Sequence, residues 1–244
     1  MQLGAPWIGS PPISSWFEGW DLRYIEALPE NWHDVSSQRF SGLGGIQRNK
    51  RREGQSLLDL GTIKSRLSQH SPRRIEEEGT DRAAVAAVLV DAEGGCLDIL
   101  LIKRAAKKED PWSGQMAFPG GRRESGDANL LETARRETLE ETGIPLQEAA
   151  VLGELDDIRP LGRGLPRIIV RPYVFFLRDR PNVVINEEVA LHVWTSFSNL
   201  PNKSCSANIE IEGRVLGVPA YRVEGHIVWG LTERILKSFI DLCA

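Results

Sequence analysis

The sequence predicts a mixed fold of the α/β (α+β) class. An apolar run of strand length at residues 83–90 is followed by turn residues at 92–95 and by a second such run at 97–103, which indicates a β-hairpin. Further along, apolar side chains recur at helical spacing, namely Leu130, Leu131, Ala134 and Leu139. We expect these four to form the buried side of a helix over 128–142. Strand and helix patterns thus occur in one continuous stretch, which is typical of a mixed sheet covered by helices.

The other elements after residue 82 follow from the same periodicities and from Gly, Pro and Asn turns. A short strand is expected where residues 112–116 lead into a glycine turn. Later strands are predicted at 148–155, 168–177, 189–194, 215–221 and 226–228. Residues 197–202 are predicted to form a turn into a variable segment. The last helix is predicted over 230–242, with Leu231, Ile235 and Phe239 on its buried side.

Two further parts precede this domain, so we expect boundaries at 1–55, 56–81 and 82–244. Residues 1–55 hold four of the seven tryptophans among Gly, Pro and Ser, without a sustained period. That segment either covers a pocket or a homodimer interface, or is dispensable. Residues 56–70 predict a short amphipathic helix with Ser56 as a candidate N-cap, and residues 71–81 form a charged linker.

Composition limits the classes of protein and of partner. The chain has 244 residues, of which 41% are hydrophobic and 26% charged, as in ordinary globular proteins. A net charge of −4 argues against a surface that coats nucleic acid. Cys96, Cys205 and Cys243 fit neither a disulfide framework nor a zinc spacing, which favours a reducing cytoplasm. The run at 83–90 is too short to cross a membrane, and we find no signal-peptide pattern.

Three carboxylates on the predicted helix form the candidate functional site. Glu137, Glu140 and Glu141 stand at i, i+3 and i+4, so they share one helix face. Such a cluster repels itself unless a cation lies among its members, and carboxylate oxygens suit Mg²⁺ or Mn²⁺. Arg136 lies four residues before Glu140, where it can orient a ligating carboxylate. The Phe118-Pro119-Gly120-Gly121 turn in front suggests a metal site built for a phosphate-bearing substrate. The alternative is a solvated acidic surface helix.

This constellation resembles the signature of the Nudix hydrolases. The family signature is Gly, five residues, Glu, seven residues, then Arg-Glu-U-x-Glu-Glu-x-Gly-U, where U is aliphatic. The matching positions here are Gly121, Arg136, Glu137, Glu140, Glu141, Gly143 and Ile144. Asp127 stands in place of the first Glu, eight residues rather than seven separate it from Arg136, and Thr138 takes an aliphatic position. The resemblance implies a Nudix-type α/β/α sandwich with a mixed central sheet.

A second resemblance concerns the substrate. The run 100–105, the stretch 111–121 and the closing segment 227–236 look like the Nudix subgroup that hydrolyses coenzyme A, although the second Arg of that subgroup is absent. The subgroup implies cleavage of coenzyme A or an acyl derivative to 4′-phosphopantetheine, acylated or not, and adenosine 3′,5′-bisphosphate. Two alternatives remain open. One is another nucleoside diphosphate derivative, such as a nucleoside triphosphate, a sugar nucleotide or a dinucleotide. The other is a nucleotide sensor without catalysis.

The resemblance also implies a role for each candidate residue. Glu137, Glu140 and Glu141 would ligate Mg²⁺ or Mn²⁺, with Arg136 and Glu140 in the catalytic set. Backbone groups of Gly120 and Gly121 would approach the metal and substrate. Arg104 is either a phosphate contact or a partner in a surface salt bridge. The base is either one of these glutamates or an acid downstream, Glu187 or Glu188, of which we favour Glu187.

Overall fold

The computed structural model describes residues 58–92, 96–108, 110–162, 165–211 and 214–244. The predicted N-terminal segment 1–55 and the candidate cap Ser56 lie outside these residues. The predicted helix 56–70 begins later, at Leu60, because the Asp59 carboxylate accepts a hydrogen bond of 2.7 Å from the Thr62 backbone N–H and caps the helix there.

The residues that the structure describes form three α-helices and one 3₁₀ segment. The α-helices are α1 (Leu60–Gln69), α2 (Leu130–Thr142) and α3 (Gly230–Cys243), and the 3₁₀ segment is Phe197–Lys203. Asn129 caps α2 by accepting from the Glu132 N–H, and Gly143 ends it in the left-handed conformation, with φ of 69°. Within the described residues, no helix has the length and apolar character needed to cross a membrane.

In the described part of the chain, ten strands make two sheets. Their bounds are β1 Asp81–Asp91, β2 Leu97–Arg104, β3 Met116–Ala117, β4 Gly120–Arg122, β5 Ala150–Glu154, β6 Ile168–Leu177, β7 Val189–Ser196, β8 Ser204–Ile211, β9 Arg214–Val223 and β10 His226–Trp229. The first seven strands form the main sheet, whose central path is β3-β2-β1-β6-β5, with β4 paired to β1 and β7 paired to β2.

The main sheet is mixed because β1 pairs in parallel with β6 and antiparallel with its other neighbours. On the antiparallel side of β1, its residues 83–85 pair with β4 and its residues 89–91 pair with β2. Between these two ladders the Ala86 N–H donates to the Pro119 carbonyl at 2.8 Å. The glycine turn is thereby fixed against the middle of the central strand.

Helices cover both faces of the main sheet. Ala84, Ala86 and Val88 of β1 pack in one core with Ala134 of α2. Ala87 and Leu89, which alternate with them, pack in the other core together with residues of α1 and α3, including Ile63, Leu67, Ile235 and Phe239. The predicted α/β/α sandwich with a mixed central sheet is therefore confirmed.

Two expectations about local structure are wrong. Leu139 does not belong to the buried side of α2, since 43% of it is exposed. Thr133, Thr138 and Thr142 are buried there instead, and the Thr138 and Thr142 hydroxyls donate to carbonyls one turn earlier. A hydroxyl satisfied by its own helix can pack like a methyl group, which hides these positions from an apolar count.

The other wrong expectation is the variable segment after residue 202, which is strand β8. It pairs along its length with β9, which pairs with β10, and the three strands make a separate sheet. Its polar residues, among them Ser204, Ser206 and Asn208, gave no strand-like apolar pattern.

Candidate active site

The two glycines of the turn are needed because other groups approach them closely. Gly120 has φ of 150°, and a Cβ there would overlap the Ala84 carbonyl and lie 2.6 Å from the Val85 Cα. A Cβ on Gly121 would lie 2.5 and 2.6 Å from the two carboxylate oxygens of Glu137. The turn therefore holds the Glu137 carboxylate directly against backbone.

Glu141 is the most buried of the three predicted carboxylates, with 2% of the residue exposed. Its Oε2 accepts a hydrogen bond of 2.8 Å from the Gly120 N–H, and its Oε1 lies 4.0 Å from Nη1 of Arg104. Burial raises the pKa of Glu141 to about 7, and the charge of Glu137 adds to the rise, although the Gly120 hydrogen bond opposes it. A carboxylate in this position gains strongly from a nearby cation.

Arg136 links the other two carboxylates. Its Nη1 lies 3.0 Å from Oε1 of Glu137 and 3.2 Å from Oε2 of Glu140. The Glu137 side chain is 14% exposed and that of Glu140 is 53% exposed. Burial raises the pKa of Glu137, although the Arg136 charge opposes this. Glu140 is thus the solvent-facing member of the cluster.

Asp127 holds Arg136 in this position. The Nε and Nη2 of Arg136 donate to the two oxygens of Asp127, each at 3.0 Å. Asp127 also accepts from the Thr133 hydroxyl and from the Glu124 N–H, both at 2.9 Å. The Arg136 guanidinium holds the pKa of the Asp127 carboxyl well below its usual range. Asp127 therefore occupies the first-Glu position of the signature as an anchor for Arg136.

Arg104 lies beside the cluster on β2, and a residue that the sequence did not single out holds it. Its Nε and Nη2 donate to one oxygen of Asp110, at 3.0 and 2.8 Å. Nη1 is then the group nearest to Glu141. Arg104 therefore forms a salt bridge with Asp110 and at the same time keeps Nη1 near the candidate phosphate site. The contact with Asp110 could hardly be predicted from the sequence, because an acid six residues after an Arg has no fixed distance from it in space.

The downstream acids differ in their surroundings. Glu188 pairs with Lys107, and its carbonyl accepts from the Ala105 N–H at 2.8 Å. Burial is the main cause of the raised pKa values of Glu137 and Glu141, and the charge of Glu188 adds to both. Glu187 does not figure among those causes. Its charge adds to the raised pKa of Lys107, which comes chiefly from the Glu188 hydrogen bond.

The donor chemistry of this site fits a hard divalent cation. The Glu137 and Glu141 carboxylates lie beside a backbone turn that a Cβ would fill, Glu140 is joined to Glu137 through Arg136, and Mg²⁺ and Mn²⁺ prefer oxygen ligands. In the side-chain arrangement described for residues 58–244 with their gaps, no group of three His, Cys, Asp or Glu residues already has the geometry of a metal site. Arg136 lies between Glu137 and Glu140, and Glu141 is turned to Gly120.

Comparison with known proteins identifies the family. The sequence model of the NUDIX domain matches residues 80–210, which is more than half of the chain. The chain therefore belongs to the Nudix family, and the predicted class of enzyme, the Nudix hydrolases, is confirmed at the level of the family.

Several known proteins are similar to this chain, and one of them is named as a Nudix hydrolase. An uncharacterised Nudix hydrolase, NudL, from Photorhabdus laumondii is 30% identical over 68% of this chain and 87% of its own length. An uncharacterised protein of Schizosaccharomyces pombe is 34% identical over 64% of this chain, and the match spans 53% of that protein. Among solved structures, a MutT/nudix family protein from Enterococcus faecalis is 18% identical, with a TM-score of 0.46, over 80% of this chain and 75% of that one.

Proposed function

We propose that this chain is a Mg²⁺- or Mn²⁺-dependent pyrophosphohydrolase that cleaves coenzyme A or an acyl-coenzyme A. The products are 4′-phosphopantetheine, or its acyl form, and adenosine 3′,5′-bisphosphate. The observation that carries the proposal is the Glu137 and Glu141 pair, which is held against the glycine turn while the Arg104 guanidinium lies at its edge.

The residues of the chain divide the work of cleavage among them. Glu137, Glu140 and Glu141 would hold the divalent cation, which would neutralise charge on the pyrophosphate oxygens. Arg136 orients Glu137 and Glu140, and Asp127 orients Arg136. Nη1 of Arg104 faces the cluster and contacts a phosphate oxygen of the substrate, since Asp110 holds its other two nitrogens.

For the base that takes a proton from the attacking water, we propose Glu188 rather than Glu187. The charge of Glu188 acts on both Glu137 and Glu141, and its side chain forms an ion pair with Lys107. A base must be ionised and near the reacting water.

The substrate assignment rests on the motifs at 100–105, 111–121 and 227–236. The subgroup's second Arg is absent, and Lys107 in that region pairs with Glu188. Another nucleoside diphosphate derivative is equally compatible with the site, because the carboxylates act on the pyrophosphate and not on the groups that flank it. A sensor without catalysis is disfavoured because all three carboxylates are present.

Incubation of the purified protein with coenzyme A and Mg²⁺, followed by mass spectrometry of the products, tests both reaction and substrate. A panel of nucleoside triphosphates, sugar nucleotides and dinucleotides is run in parallel. We expect 4′-phosphopantetheine and adenosine 3′,5′-bisphosphate. Turnover in the panel without turnover of coenzyme A would contradict the substrate and leave the reaction class standing.

We further propose that residues 82–244 form the catalytic domain of a cytoplasmic enzyme and that residues 56–81 join it to segment 1–55, which either covers the pocket or a homodimer interface or is dispensable. Deletion of residues 1–50 tests the last point. We expect a lower melting temperature, lower turnover or a smaller assembly in size-exclusion chromatography. Unchanged values would mean that the segment is dispensable.

A further inference from the structure

A second cavity, away from the carboxylate cluster, has a strongly basic lining. It has a volume of about 400 Å³ and opens between α2, the linker before β1, and strands β1 and β6. Four guanidinium groups line it, and the only carboxylate in the lining is Glu76. None of the residues assigned above to metal or substrate lines it. Its volume lies within the range of small-molecule sites, which is about 300–1,000 Å³.

The four arginines outnumber the two acids that pair with them, which are Asp157 and, bound by Arg74, Glu154. Asp157, whose side chain is 1% exposed, accepts from Arg171 at 2.8 and 3.1 Å, from the Ile75 N–H at 3.1 Å and from Arg74 at 3.4 Å. A carboxylate offers about four acceptor positions, so these contacts use them up. Nη1 of Arg82 lies 3.8 Å from Oδ2 of Asp157, which is within ion-pair distance but beyond hydrogen-bond distance.

Arg82 and Arg123 therefore keep donors for a ligand. Arg82 donates from Nη1 to the Ile75 carbonyl at 2.7 Å, while a guanidinium has five N–H groups. Arg123 is exposed, and its Nη2 donates to the carbonyls of Asp127 and Ala128, at 3.1 and 3.4 Å. None of these three hydrogen bonds neutralises charge, since all three acceptors are backbone carbonyls.

The remaining lining indicates the class of ligand. Asn129 and Leu130 belong to the N-terminal end of α2, where backbone N–H groups and the helix dipole favour an anion. Ile75, Leu130 and the nearly buried Tyr173 add apolar surface. Planar guanidinium groups recognise phosphate through paired hydrogen bonds. The ligand thus combines a phosphate with a small carbon group.

We propose that the cavity lined by Arg74, Arg82, Arg123 and Arg171 is a second binding site, which takes a small phosphate monoester independently of the carboxylate cluster.

Calorimetric titration of the full chain in EDTA, with inorganic phosphate and with phenyl phosphate as probes, tests this site. EDTA removes divalent cations, so binding through the carboxylate cluster is excluded. We expect one saturable site, with phenyl phosphate binding more tightly because of the apolar lining. Arg82→Gln, Arg123→Gln and Asn129→Asp should each weaken binding at least about tenfold, because each removes or opposes a charge-assisted contact.

The controls separate lost binding from lost folding. Asn129→Asp keeps the helix cap, because Asp and Asn cap equally well. Arg122→Gln removes a neighbouring guanidinium that pairs with Asp81 and does not line the cavity, so binding should be unchanged. Glu141→Gln should also bind normally, which keeps the result independent of the proposed hydrolysis. No detectable binding at millimolar probe, or weakening in fewer than two of the three lining variants, would overturn the proposal.

Discussion

Asp127 and Arg136 make two hydrogen bonds of 3.0 Å, one from Nε and one from Nη2 of the arginine. The third nitrogen, Nη1, then reaches Glu137 and Glu140. An acid in the loop before α2 therefore sets the position of two candidate metal ligands inside α2. In this chain, the shorter side chain of Asp127 fills the signature position at which the family has Glu.

Replacing Asp127 tests this chain of contacts. Asp127→Asn should lower the free energy of unfolding by about 2–4 kcal/mol, because it removes one partner of a largely buried ion pair. Turnover should fall about tenfold or more, since the ligands lose their support. Chemical denaturation and steady-state kinetics measure the two effects. Glu124→Gln is the matched control, because Glu124 lies 3.7 Å from Arg136 and is 69% exposed, and should change stability by less than about 0.5 kcal/mol. Equal effects of the two substitutions would contradict the anchoring role.

The contact between Gly121 and Glu137 gives a second prediction. Gly121→Ala places a methyl group where the Glu137 carboxylate now lies, so the carboxylate must move. Mn²⁺ affinity, measured by calorimetry, should fall by about tenfold or more. Gly126→Ala is the control, because nothing lies within 4 Å of its added Cβ, and it should leave affinity unchanged. A Gly121→Ala variant with normal affinity would mean that Glu137 is not a ligand.

Glu141→Gln separates catalysis from folding. The amide oxygen can still accept from the Gly120 N–H, so the melting temperature should not fall. Turnover should fall at least about 100-fold, because a charged ligand is lost from the metal site. Glu132→Gln, on the same helix and paired with Arg135, should retain turnover. Undiminished hydrolysis by Glu141→Gln would rule out the metal-site assignment. For an enzyme, we expect that the variant loses hydrolysis but still binds nucleotide.

The raised pKa of Glu141 predicts how stability depends on pH. Its folded value of about 7 exceeds the ordinary value of 4.5, so the folded state binds a proton between these limits that the unfolded state has released. In the metal-free protein, the contribution of Glu141 to the free energy of unfolding should therefore be largest below pH 4.5. This contribution should fall by up to about 3 kcal/mol as pH rises to 7. Denaturation at several pH values in EDTA measures this slope. Glu141→Gln should flatten this slope. If stability instead rises over the same pH window in both wild type and variant, the assignment is contradicted.

Asp127 contributes with the opposite sign. Its folded pKa is depressed, so its contribution is present above the unfolded value of 3.8 and is lost as pH falls below it. Asp127→Asn should lack this acid-dependent loss, which denaturation between pH 2 and pH 4 would reveal.

The choice of base gives a kinetic prediction. Glu188→Gln should lower kcat and kcat/KM by about 100-fold each, because an amide cannot accept the proton of the attacking water. Glu187→Gln, the adjacent substitution, should leave both within about twofold. The reverse result would restore Glu187, the residue that the sequence favours.

The sequence predicted the elements with strong apolar patterns and missed the polar ones. Strands β1, β2 and β6 and helix α3 lie where the pattern placed them, because each buries a regular apolar face. Strand β8 and the buried threonines of α2 were missed because backbone pairing and satisfied hydroxyl groups stabilise them, whereas Ala134 is buried as predicted.

The candidate site shows the same division. Fixed helical offsets brought Glu137, Glu140 and Glu141 to one face, and the signature located the glycine turn beside them. The partners Asp110 for Arg104 and Glu188 for Lys107 depend on how loops fold back on the sheet, and no local spacing encodes that. The four-arginine cavity was invisible for the same reason, since its residues come from four separate segments.

The central claim is that Glu137, Glu140 and Glu141 hold the divalent cation that hydrolysis requires. Its most direct test is Mn²⁺ binding by electron paramagnetic resonance, measured beside hydrolysis on the same samples of wild type, Glu137→Gln and Glu141→Gln. Glu132→Gln serves as the folded control. We predict that wild type and control bind Mn²⁺ and hydrolyse substrate, and that both cluster variants lose binding and turnover together. Cluster variants that bind Mn²⁺ and turn over substrate like the wild type would contradict the account.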